Sequence, residues 1–255
     1  MNGLIIGMDL CDSCTHISCQ GQETIWSVPT RIGKEPDSDV WRESAGGALE
    51  GMVVEDKLLS LAMKDGTATI DGVRYEGLYL LKMFLKQVLA IPRQASGKEE
   101  IENLVITVPK LEVKLVDCLM YCADFLEIDR SRVHVISHAE SFVYYVMSQK
   151  REVWSNQVGM FELSENGLHY YELRVQRGLR QMQVVADQEE LEESFHLNVL
   201  DSDAGIQMAD RILSSCAERL LQKRLFSAII LTGRGFAQTD WAADFMQQIC
   251  KRRRV

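Results

Sequence analysis

The 255-residue sequence has no apolar run approaching the roughly 20 residues that a membrane-spanning helix needs. Its opening segment, Met1 to Leu10, carries no basic flank and no cleavage site, and its apolar stretch is too short for a secretory signal. It reads as a first strand. Positive charge is in deficit: 28 Lys and Arg stand against 37 Asp and Glu, a net charge of -9. That balance argues against general affinity for nucleic-acid phosphates or anionic lipid. The one basic cluster, Lys251 to Arg254, suits the negative pole of a helix end; docking, or a nucleic-acid contact, is the alternative. Seven scattered cysteines, an odd count, fit reduced thiols in a cytoplasmic protein rather than a disulfide framework.

Familiar catalytic signatures are missing as well. There is no nucleophile elbow, HExxH pair, Walker lysine motif or dinucleotide fingerprint. Gly233-Arg234-Gly235-Phe236-Ala237-Gln238 lacks the last glycine of that fingerprint and follows a late strand. Cys11-Asp12-Ser13-Cys14 has CxxC spacing, but no second pair completes four zinc ligands. A redox CxxC ordinarily opens a helix, whereas this one lies between strand-like segments. A structural role is the simpler reading. Cys118 and Cys122, at i, i+4, read as core.

What is present is an ordinary globular composition, 46% hydrophobic and 25% charged, enough for one large domain or two small lobes. Residues 4–10, 15–19 and 24–28 read as three short strands of an antiparallel meander. Pro29 to Gly51 is rich in turn formers and reads as loop. Asp71-Gly72 predicts a hairpin between Ala68-Thr69-Ile70 and Val73-Arg74-Tyr75. Helical spacing runs from Leu78 to Leu89, with Pro92 as the expected stop and 93–102 as a surface connection. Strand 104–108, a helix over 113–126, strand 133–136 and a helix over 139–147 follow, which implies parallel pairing with right-handed crossovers.

The second half repeats the theme. Val158 to Glu162 is again a strand ending in an acid, with 168–175 and 180–185 as its meander partners. Asp187 to Glu193 reads as a solvated loop or helix start. A long helix covers 206–221, Ala228 to Thr232 is a strand, Gly233-Arg234-Gly235 is a turn, and an amphipathic helix spans 239–249. The expected class is α/β, with lobes at 1–152 and 153–255.

In this order the segments resemble the ATPase domain of heat-shock chaperones, within the actin, sugar-kinase and chaperone superfamily. Ile6-Gly7-Met8-Asp9-Leu10 resembles the first strand, whose acid holds magnesium through water. Val105-Ile106-Thr107-Val108-Pro109 resembles the family's strand phrase, and 133–145 its connecting strand and helix. Gln157 to Leu173 falls at the second phosphate hairpin, and Ile229 to Gly235 at the adenosine cradle. The resemblance implies an actin-like ATPase fold of duplicated ribonuclease H-like halves. It also implies ATP or ADP with Mg as the cofactor. Asp9 would be the metal acid, Glu162 the second acid, and Ser13, Gly167, Gly233, Arg234 and Gly235 the nucleotide contacts. Lys57 falls near the family's water-positioning lysine, and His138 lies near the cleft, where it would be a ligand, an acid–base group or a cap.

The departures from the family pattern cluster at the phosphates. Backbone N–H groups need glycine to close around phosphate oxygens. Here Cys11 replaces a glycine, Asp12 adds negative charge, and Ser13 stands for the usual threonine. Glu162-Leu163-Ser164-Glu165-Asn166-Gly167 has lost most of the second hairpin's glycines, and Glu165 would repel phosphate. Ser137-His138-Ala139 stands where the family has an acid followed by proline. The roughly 50 residues from Arg180 to Leu231 are too few for the family's extra subdomain. The second half is thus expected to be shortened, with a further strand and helix lacking after 249.

Three functions follow from the resemblance. The first is a degenerate chaperone-like domain that binds nucleotide weakly or not at all and acts mainly through an unidentified protein partner. The second is a working ATP hydrolase with a rearranged site. The third is an actin-like or cell-division-type assembly subunit. The charges at Asp12 and Glu165 favour the first.

Overall fold

Strict alternation sets the first sheet. Strand β1 (Leu4–Leu10) buries Leu4, Ile6, Met8 and Leu10 on one face and leaves Ile5, Gly7 and Asp9 on the other. The computed structural model describes residues 3–43, 52–164, 167–176, 183–192, 197–221, 226–237, 242–243 and 245–247. The chain divides into two compact units, Met1–His138 and Ala139–Val255.

In the first unit, β1 pairs antiparallel with β2 (Cys14–Cys19), which pairs with β3 (Trp26–Pro29). A second small sheet follows, made of β4 (Ile32–Lys34), β5 (Trp41–Glu43) and β6 (Val53–Glu55), in the order β5-β4-β6. The expected loop over 29–51 therefore contains strands. Pro36, Asp37, Ser38 and Asp39 form the connection of β4 to β5, and residues 44–51 of that segment lie outside the described residues. Helix α1 (Leu58–Met63) leads to the hairpin of β7 (Thr67–Ile70) and β8 (Val73–Glu76). Asp71 and Gly72 both have positive φ, 49° and 75°, as a two-residue primed turn requires.

Helix α2 (Gly77–Ser96) buries Leu80, Leu81, Phe84, Leu85, Val88 and Leu89. It does not stop at Pro92. The missing N–H of Pro92 removes one bond near the end of the helix. The last turn closes without it: the Ser96 hydroxyl donates to the Pro92 carbonyl at 2.7 Å, and Gly97, at φ 68°, donates to Arg93. Strand β9 (Ile101–Val108) then starts inside the expected surface connection and pairs in parallel with β1. Helix α3 (Val113–Phe125) buries Cys118 and Cys122, as their spacing predicted. Strand β10 (Val133–Ser137) completes the sheet, in the order β10-β9-β1-β2-β3. Helix α4 (His138–Ser148) begins immediately after it.

In the second unit, β11 (Gln157–Ser164) pairs antiparallel with β12 (Gly167–Gln176), and β12 with β13 (Gln183–Glu192). Helix α5 (Asp203–Leu221) leads to β14 (Phe226–Thr232), which pairs in parallel with β11. Phe142 and Val146 of α4 pack with Val158, Met160, Tyr171 and Leu173. Phe161, Leu163 and Tyr170 pack on the opposite face with Ala209 and Phe236. The acidic stretch from Asp187 is strand through Glu192, not loop; Glu193 lies outside the described residues. It forms the outer strand of the described sheet, a position that tolerates charged side chains. Of the helix expected over 239–249, residues 242–243 and 245–247 are described and helical.

The two sheets share a plan. Each opens with a three-stranded meander whose first strand also pairs in parallel with a later strand: β3-β2-β1-β9 in one, β13-β12-β11-β14 in the other. The structure is mixed α/β. No described helix is long and apolar enough to cross a membrane.

Candidate functional site

The carboxyl ends of β1, β9 and β10 lie side by side in parallel, the end of an α/β sheet where sites are generally built. Asp9 is in register with Thr107 on one side and His16 on the other. His138, the first residue after β10, reaches Asp9 with Nε2 2.7 Å from Oδ1. The Thr107 hydroxyl donates to the same oxygen at 3.3 Å. The His138 side chain is 11% exposed and that of Asp9 39%. Burial pushes the Asp9 carboxyl upward. The hydrogen bond and charge of His138, the charge of His16 and the Thr107 hydroxyl outweigh it and hold the group below its ordinary value.

Cys11 closes the group. Its Sγ lies 3.8 Å from Asp9 Oδ1 and 3.9 Å from His138 Nε2. One ligand-type atom from each of Asp9, Cys11 and His138 thus falls within 4.8 Å of the others. This is not a nucleophilic relay. In a relay the acid orients the imidazole from the nitrogen opposite the nucleophile, whereas here Asp9 and Cys11 both address Nε2.

Asp12 turns elsewhere. It accepts from the Ser60 backbone N–H at 3.0 Å and from the Ser60 hydroxyl, so its charge sits on the first turn of α1. The residue preceding that helix, Lys57, offers no side-chain cap and has a left-handed φ of 50°. Asp12 supplies the missing acceptor from 48 residues away. Lys57 itself is exposed at the helix cap rather than inside the helix. The Ser13 carbonyl accepts from Thr30 N–H at 3.1 Å.

The other sequence-predicted residues belong to the second unit. Glu162 is 7% exposed, lies in register with His169 and Thr232, and accepts from the Tyr171 hydroxyl at 2.7 Å. Gly167, at φ 106°, opens β12 opposite Ser164. Arg234 is exposed. Gly233 and Gly235 are explained by packing on β11: a Cβ at Gly233 would meet the Leu163 carbonyl oxygen at 2.3 Å, and one at Gly235 the Leu163 side chain at 2.4 Å. Glu165 lies outside the described residues.

The profile described as "Family of unknown function (DUF5716) C-terminal" matches residues 13–255. The chain belongs to this family. No curated protein matches the sequence. Thr107 and His138 lie within the family match, and Asp9, Cys11 and Asp12 precede it. The sequence singles out Asp9 and His138 separately, and pairs Cys11 with Cys14 or sets it in place of a phosphate-loop glycine. Their convergence depends on the parallel order β1-β9-β10, which spacing along the chain does not display. Thr107 enters the sequence reading only as part of the strand phrase 105–109, and Ser60 carries no signal there.

Proposed function

We propose that this chain is a degenerate nucleotide-binding domain of the actin and heat-shock-chaperone type, acting mainly as a protein-interaction module. The observation that carries the reading is the internal pairing of the loop acids. The carboxylate expected to hold hydrated magnesium is bonded to His138 and Thr107, and the next acid caps α1. Phosphoryl transfer works by positioning and charge neutralisation. A phosphate loop with a cysteine for glycine, and its acids directed inward, supplies neither. The duplicated strand plan supports the superfamily.

A docking role is supported by apolar side chains left in solvent on and beside α3. Val113 is 80% exposed, Tyr121 54% and Phe125 45%, with Tyr121 and Phe125 at i, i+4 on one face. The test is phosphate release from Mg-ATP by the wild-type chain and by Asp9→Ala. The reading expects the two to match the uncatalysed background. Turnover in the wild type that Asp9→Ala abolishes would instead establish an ATP hydrolase.

A further inference from the structure

Charge, donor type and convergence single out the Asp9, Cys11 and His138 group. We propose that it is a binding site for a borderline-soft divalent metal of the zinc class, with three protein ligands among the described residues. The inference goes beyond the scaffold reading and stands whether or not a partner docks.

Three arguments carry it. The first is geometric. Tetrahedral zinc, with bonds of about 2.0–2.3 Å, sets its ligand atoms about 3.2–3.6 Å apart. Cys11 Sγ is already 3.8 and 3.9 Å from the other two atoms. The Asp9 to His138 separation of 2.7 Å, spanned by one proton, has to widen by about half an ångström to admit the ion. Binding therefore releases the Cys11 thiol proton to solvent, and the proton between Asp9 and His138 leaves Nε2, passing to Nδ1 of a neutral ring or to solvent from an imidazolium, so that Nε2 can take the metal. The second argument is chemical. A thiolate, an imidazole and a carboxylate match zinc, whereas magnesium takes oxygen donors and retains its waters. Thiolate and carboxylate together neutralise a dication, with imidazole as the neutral third ligand. The third is support around the ligands. The Thr107 hydroxyl holds Asp9 Oδ1, and the backbone N–H of Cys11 reaches the Cys14 carbonyl at 3.4 Å, tying the ligand loop across its turn. The Cys11–Cys14 pair is thus not the metal unit. Cys11 works with two residues that the fold brings to it.

The experiment is a titration of metal-free protein with Co2+, followed by Zn2+, in the absence of nucleotide. The expected result is one Co2+ per chain, with tetrahedral d–d bands and a thiolate-to-cobalt charge-transfer band that Zn2+ bleaches. Cys11→Ser removes the charge-transfer band. Asp9→Asn and His138→Gln each weaken binding at least about 10-fold, with far-ultraviolet circular dichroism unchanged. Should those variants fail to fold, the wild type still decides: bound Zn2+ must slow alkylation of Cys11, mapped by mass spectrometry. A wild type with no charge-transfer band, a band that persists in Cys11→Ser, or alkylation of Cys11 at the same rate with and without Zn2+ each overturns the proposal. Because nucleotide is absent throughout, that outcome leaves the scaffold reading to its own test.

Discussion

At the scale of single residues, Gly233 shows how packing replaces a ligand as the reason for a glycine. Its φ of 91° and the Leu163 carbonyl oxygen, 2.3 Å from where a Cβ would lie, exclude any other side chain. Gly233→Ala is expected to destabilise the chain by about 2–4 kcal/mol, a strained φ compounded by overpacking. Gly72 also has positive φ, 75°, but open space around it, so Gly72→Ala should cost only about 1 kcal/mol. Urea midpoints compare the two, and equal losses would show that the Leu163 contact is unimportant. Cys122 offers a pH test. Burial first, then the neighbouring Cys118, pushes its thiol from 9.0 up to about 12, against the opposing charge of Lys82. A group raised on folding stabilises the fold below its unfolded value and loses that contribution as pH climbs through the folded one. The melting temperature should therefore fall between pH 9 and 12, and fall less steeply in Cys122→Ala. Parallel slopes would remove Cys122 from the alkaline limb. Of these residues, sequence spacing foretold the burial of Cys118 and Cys122, because i, i+4 positions share a face. The convergence on Asp9 was not legible, since it joins residues 98 and 129 positions apart through sheet order.

At the scale of elements, α1 depends on a residue outside itself. Its six residues are too few to persist on local propensity, and the preceding Lys57 gives no side-chain cap. Asp12→Ala should lower stability by about 0.5–2 kcal/mol, the usual worth of an N-terminal acceptor, with Asp12→Asn losing less. Thermal unfolding of the two variants checks this. If Asp12 served only to repel phosphate, its removal would instead leave stability unchanged and raise nucleotide affinity. Strong local patterns were legible at this scale: the Asp71-Gly72 hairpin, α2 and the parallel strands all follow from period and turn chemistry. The misreadings have a common origin, in that tertiary pairing overrode composition. Pro92 sits where one lost bond is tolerated, β4 and β5 form around a turn-rich segment, and the acids after Asp187 pair along β12.

At the scale of the whole molecule, the duplicated plan of meander plus parallel strand organises both units, and it was legible because the same strand-ending acid opens each half. What the sequence could not display is where those acids point. Asp9 meets His138, and Glu162 meets Tyr171, each inside its own unit. The central claim is that inward pairing has displaced magnesium nucleotide. The most direct measurement is the thermal-unfolding midpoint in millimolar ATP or ADP, with and without magnesium. A ligand at about 100 times its dissociation constant adds roughly 2.7 kcal/mol of stability. The account predicts no magnesium-dependent shift. A shift of that size which vanishes in Asp9→Ala would contradict it and return Asp9 to a magnesium role.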